Sequence, residues 1–268
     1  MVELNFSEDE SLKRILKRAF ALVKKVNKSS KATKKLILFA TKKLVGNCPT
    51  RWSSTYLLID RLLEVRTPLT QVLEELQWEN LMTSEWRTLE NLHLLLKPFA
   101  QYTSLVSGQE YTTISSIIPI VMEINLHLEE MKKFPELTAV STRLQSELKQ
   151  RFKRYTDPVA SNHEPVFLVS TLLNPQFKLL LNPTQTNSAK TKLLRLLKDA
   201  NGESSRSSSP ASPMHEADEH PNKRFCHLSK VLEQRFKEDR NKAATAPPGE
   251  ELEQHLQSVH EMEAHFEP

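Results

Sequence analysis

Apolar residues recur at three- and four-residue steps over most of the first 200 positions, which is the helical period. Leu12, Ile15, Leu16, Ala19, Phe20, Val23 and Val26 form the first stripe, with Lys13, Arg14, Lys17, Arg18, Lys24 and Lys25 on the other side. Ser7, followed by Glu8, Asp9 and Glu10, supplies the expected N-cap and first-turn acids. After the break at NKSSK, a second helix is predicted from Ala32 to Leu44 with Leu36, Ile37 and Ala40 inward, ended by Gly46, Asn47 and Pro49. A third begins near Arg51 and carries Tyr56, Leu57, Ile59, Leu62 and Leu63. Pro68 opens a fourth, with Leu69, Val72, Leu73 and Leu76 on its stripe, because proline is tolerated in a first turn.

The longest periodic run goes from Thr83 to Ser107 through Trp86, Leu89, Leu92, Leu95, Leu96, Phe99 and Leu105, and Pro98 is expected to bend it. Thr113 to Met131 reads as a helix despite its isoleucines, since nothing alternates and the run exceeds strand length. Pro135 starts another helix to Tyr155, and Thr186 to Ala200 is helical. The apolar run PVFLVSTLLNP, residues 165–175, fits either a buried helical turn or a strand. Beyond it, NGESSRSSSPASPMHEADEHPN, residues 201–222, has no apolar period and collects serine, proline and charge. Such a segment buries too little surface to offset its ordering entropy.

The expected organisation is a pair of basic helices over residues 1–50, a helical domain over 51–200, a disordered linker over 201–224 and a weakly helical polar tail over 225–268. The packed core is expected to end near residue 200. A modest helix from Phe225 to Lys237 follows, and the tail from Ala243 has a helical stretch near Leu252 to Met262 with little to pack on.

Composition sharpens the class. Only four residues are glycine, Gly46, Gly108, Gly202 and Gly249, and no two are close enough for a phosphate-cradling loop or a dinucleotide turn. The fold class is therefore all-α. No stretch reaches the roughly 20 apolar residues of a membrane span, and the first ten residues lack signal-peptide regions. Two cysteines, Cys48 and Cys226, match no disulfide framework and agree with a reducing, intracellular setting. The net charge of +4 is unevenly held: residues 1–50 contain twelve Lys or Arg against four acids, a balance of +8, leaving −4 for the remainder.

Catalytic chemistry finds little support. Of the six aspartates, only Asp60 lies inside a strong motif, where a helix makes it an ordinary surface or ion-pairing acid. Zinc requires matched Cys and His spacing, and no Cys-x-x-Cys occurs. His215, His220, Cys226 and His227 read as solvated linker, while His255, His260 and His265 point about 140° apart around a helix. No Gly-x-Ser-x-Gly occurs, and Cys48 has no histidine nearby in sequence. No enzyme activity, metal, cofactor, small-molecule substrate or membrane contact is expected.

Binding is better supported. The six cations of the first helix, followed by Lys28, Lys31, Lys34 and Lys35, match phosphates by counterion release, or else form a solvated face. In CPTRWSSTYLLIDRLLE, from Cys48, Arg51 offers a guanidinium to phosphate and Trp52 a face on which a base can stack. The alternative is a core tryptophan with Arg51 paired to an acid. Ser209 and Ser212, each before proline, are candidate phosphorylation sites.

The same motif, PTRWSSTYLLIDRLLE at 49–64, together with LLLKPFAQYTSLVSGQEYTTISSIIPIV at 94–121, ELKQRFKRY ending at Tyr155 and LVSTLLNPQFKLLL at 168–181, resembles the hAT family of DNA transposases, including the zinc-finger BED-domain proteins descended from them. The resemblance covers roughly residues 10–200. It implies that these helices correspond to the long helical insertion of a ribonuclease-H-like core. It further implies a role for Trp52 in stacking on a flipped base, beside Arg51. Family members carry a BED finger and an acidic triad that have no counterpart here, and the family's Leu-Asp-Pro-Arg-Phe-Lys becomes Leu173, Asn174, Pro175, Gln176, Phe177 and Lys178. The expectation is a non-catalytic, domesticated transposase-derived nuclear protein without the finger. It binds DNA, with Arg51, Trp52 and the first-helix cations as contacts, or works as an interaction module for related or transcription-regulatory proteins.

Overall fold

The computed structural model describes residues 9–46, 52–107, 114–202, 225 and 227–245. Among them every regular element is helical: α1 (Glu10–Lys28), α2 (Ser30–Ala40), α3 (Trp52–Glu64), α4 (Arg66–Glu75), α5 (Thr83–Val106), α6 (Ile117–Met131), α7 (Thr138–Thr156), α8 (Val166–Leu173), α9 (Pro183–Gly202) and α10 (Leu228–Thr245), with short 3₁₀ turns before α6 and α7 and after α8. The fold is all-α.

Local chemistry sets most of the boundaries. Asp9 caps α1: its Oδ1 accepts the backbone N–H groups of Ser11 and Leu12, each at 3.0 Å, satisfying two donors that the first turn leaves free. The cap is thus Asp9 and not Ser7, which lies outside the described residues. Ser29 caps α2 through Ala32 N–H at 3.3 Å. That helix stops at Ala40, four residues before the expected Leu44, because Thr41 turns left-handed with φ of 56° and donates its N–H to Ile37. A β-branched residue pays steric strain in that region. Leu44 is still buried, but from the irregular chain beyond the helix.

Pro98 does not interrupt α5, which runs from Thr83 to Val106. Proline removes the N–H that the Leu94 carbonyl would receive. His127 of the neighbouring α6 is buried, and its Nε2 has no hydrogen-bond partner among the described residues. The ambiguous run at 165–175 resolves as α8, with Leu168, Val169 and Thr171 buried. Asn174 ends it, its side chain accepting from Gln176 N–H at 3.0 Å and donating to Ser115 Oγ at 3.2 Å.

Packing centres on two helices. α5 packs on α1, α3 and α6, while α6 packs in turn on α7, α8 and α10. One apolar cluster runs from Leu12 through Leu62, Leu92 and Leu128 to Leu232, and a smaller one joins Ile118, Leu168, Val169, Leu181 and Ala189. The core therefore does not end near residue 200. Phe225, Leu228 and Leu232 are buried in it, with the Phe225 ring 5.7 Å from Tyr102 and 5.4 Å from Phe177. The linker at 201–224 keeps its first two residues in α9, and the rest lies outside the described residues.

Candidate nucleic-acid interface

Because α1 buries Leu12, Ile15, Leu16, Ala19, Leu22, Val23 and Val26 on one side, its polar side is fixed toward solvent. The six predicted cations differ in what they do there. Arg14, Lys17 and Lys24 are exposed, and among the described residues none has an ion pair or side-chain hydrogen bond. Lys13 pairs with Glu10 at 3.0 Å, a surface pair within one turn and of little energetic weight. Lys25 places its ammonium 4.3 Å from the centre of the Trp78 ring.

Arg18 is engaged by the fold. It sits 3.0 Å from Glu85, whose side chain is buried, and Glu85 also accepts the Met82 N–H at 2.8 Å at the start of α5. Its guanidinium also reaches the Asn80 carbonyl. Arg18 therefore stitches α1 to α5, and without it a buried carboxylate would lose its cation. Arg18, Lys25, Glu79 and Asn80 line a cleft of about 250 Å³ on this edge of α1, where Arg18 already meets Glu85 and the Asn80 carbonyl and Lys25 lies over Trp78. Of the free cations, Lys17 and Lys24 lie on the opposite edge, while Arg14, one turn before Arg18, lies on the same edge as Arg18 and Lys25. Beyond α1, Lys31 and Lys34 of α2 are exposed, and Lys35 is paired with Glu75 of α4.

The Arg-Trp motif is only partly in view. Arg51 lies outside the described residues, and Trp52 is the first residue of α3, with its side chain likewise outside them. The rest of the motif is a packing helix. Leu58, Ile59 and Leu62 are fully buried, and α3 lies on α5. Asp60 receives His93 at 2.8 Å, and the His93 ring stacks on Tyr56 with centroids 5.1 Å apart. Burial, with the Asp60 charge second, raises the Tyr56 pKa above its ordinary value. Asp60 is thus a half-exposed surface acid joined to His93 by a hydrogen bond, in keeping with the surface or ion-pairing acid expected from sequence. Ser209 and Ser212 lie outside the described residues.

The sequence reading missed a polar junction between α6 and α10. Glu123 is buried, and its carboxylate accepts the N–H of His227 at 2.8 Å and of Leu228 at 2.7 Å, capping α10 from another helix. One turn along α6, the His127 ring meets that of His227 at 5.5 Å, and His227 Nδ1 lies 3.4 Å from Glu130. Burial, then the nearby His227 charge, lowers the His127 pKa below its ordinary value. His227 is therefore docked, not solvated linker. Phe225, Leu228 and Leu232, at steps of three and four, were the available sign. Cys226, His215 and His220 lie outside the described residues, and no group of three His, Cys, Asp or Glu suited to a metal occurs among the described ones. Nor is any helix among them long and apolar enough to cross a membrane.

No family model and no solved structure matches the chain. Among curated proteins it is similar to human zinc finger BED domain-containing protein 4, with 26% identity over 215 residues, covering 76% of this chain and 18% of that protein. Zinc finger BED domain-containing protein 39 of Caenorhabditis elegans is 29% identical over 40% of this chain and 11% of its own length. The "Putative transcriptional regulator tpeD" of Talaromyces stipitatus is 29% identical over 48% of this chain and 14% of its own length. The chain thus spans less than a fifth of each relative, yet over most of its own length it is homologous to zinc finger BED domain-containing proteins.

Proposed function

We propose that this chain is a non-catalytic, transposase-derived nuclear protein with a DNA-associated, transcription-related role. It contacts the phosphate backbone through the free cations of α1. The observation that carries the reading is the division of labour on that helix. One face is locked into the core, Arg18 and Lys25 are engaged by the fold, and Arg14, Lys17 and Lys24 are left unneutralised on the solvent side. Lys28, Lys31 and Lys34 extend the exposed positive charge. A fixed row of cations suits a regularly spaced polyanion and gives affinity without base readout. The names of the relatives, two BED zinc-finger proteins and one regulator, support the same role. In this reading Arg51 and Trp52 add a guanidinium and a stacking face beside α3.

A gel-shift series across salt concentrations tests it. Wild-type protein should bind duplex DNA at low salt and weaken steeply as salt rises. Replacing Arg14, Lys17 and Lys24 with glutamate should remove most of the affinity and flatten the salt slope by roughly one unit per lost phosphate contact. Arg18→Ala should lower stability through Glu85, with a smaller effect on binding. Absence of binding by the wild type at low salt would sink the proposal and leave a protein-interaction role, which the exposed leucines of α9 favour.

A further inference from the structure

α8 has eight residues and α9 twenty, so at 1.5 Å per residue the shorter helix can cover less than half of the longer. The two lie side by side through Ala189, with Leu193 at the margin of the small apolar cluster. The face that buries these residues continues past the point where α8 ends. Leu196 and Leu197 follow Leu193 at three and four residues and so share its side of the helix, yet they are 43% and 53% exposed. Lys190 flanks this stripe on one side and Lys192 on the other by the same period, and the exposed Arg195 lies beyond Lys192. Contiguous exposed leucines on a helix anchored to the core mark an interaction surface, and flanking cations select an acidic occupant. A second copy of the stripe would set like charges against each other.

One segment of the chain carries the complementary pattern. Residues 250–267 hold six glutamates and no Lys or Arg, and Leu252, Leu256, Val259, Met262 and Phe266 follow one another at steps of four, three, three and four. That is the sequence period of an acidic amphipathic helix, separated in sequence from α10 by only Ala246, Pro247, Pro248 and Gly249. We infer that residues 250–266 dock as a helix along Leu193, Leu196 and Leu197 of α9 in the same chain, with their glutamates against Lys190, Lys192 and Arg195. The tail then has the packing surface that its sequence alone does not reveal. The inference is independent of DNA binding.

Hydrogen–deuterium exchange on the full chain tests it. Amides in residues 252–264 should exchange at least about tenfold more slowly than a free coil. Leu196→Asp and Leu197→Asp, at exposed positions that the fold does not need, should abolish that protection while α6 and α10 keep theirs. Leu256→Asp should do the same from the other side. Coil-like exchange of the wild-type tail would overturn the inference, as would protection that survives Leu197→Asp. Protection lost on Lys17→Glu with Lys24→Glu would move the tail to α1, and protection that grows with protein concentration would move it to a second chain. Either result rejects docking on α9 of the same chain.

Discussion

α1 and α10, of 19 and 18 residues, stand at opposite ends of the described chain and start in different ways. α1 brings its own cap, Asp9, one position before the helix, and its own stripe of seven buried residues. α10 borrows its cap. Glu123 is 104 and 105 positions away from the N–H groups it satisfies, and among the helix's described side chains only Leu228 and Leu232 are buried, with Phe225 just before it. The first helix is specified within its own sequence, whereas the second depends on the chain having already built α5 and α6. Helical stability in a protein comes largely from tertiary packing, and α10 is an extreme case because even its first-turn donors are satisfied from outside.

That contrast can be broken from the C-terminal side most severely. Phe225→Ala removes the ring that joins Tyr102 and Phe177, and should cost about 3 kcal/mol or more. Native-state exchange should show α10 opening well before α1. Protection of α10 equal to wild type would mean that the aromatic contact does not hold it. Glu123→Gln keeps the size of the side chain but presents one acceptor oxygen to two backbone donors and removes the charge at the helix N-terminus. The expected loss is about 2 kcal/mol, read as faster exchange confined to α10. Loss spread evenly over α1 to α5 would show that the two ends are more tightly coupled than their caps imply. The smallest effect is at the self-sufficient end. Asp9→Ala should cost about 1 kcal/mol and fray only the first turn of α1, seen at the amides of Ser11 and Leu12.

The same contrast explains what could be read in advance. Apart from the run at 165–175, the helices from Leu12 to Ala200 were legible because each shows an apolar stripe at the helical period, and Asp60 was legible as a surface or ion-pairing acid because its motif is a helix. The stop of α2 was not, since Thr41 gives no compositional sign that it turns left-handed where Gly46 seemed the natural end. At the candidate interface, the charge of Arg18 was plain but its employment was not. Six cations on one face look equivalent until α5 places a buried carboxylate beside one and the turn before α5 places a tryptophan beside another.

By itself, the sequence determined the helical class, the position of nearly every helix and the asymmetry of charge. Those follow from periodicity, scarce glycine and local caps, which act within a turn or two of chain. Tertiary structure alone decided which cations remain free, that Glu123 caps a helix more than a hundred positions away, and that the chain beyond the serine-rich segment returns to the core. Each of these depends on groups far apart in sequence meeting in space, where a buried carboxylate must find donors and a short helix leaves part of a longer one uncovered.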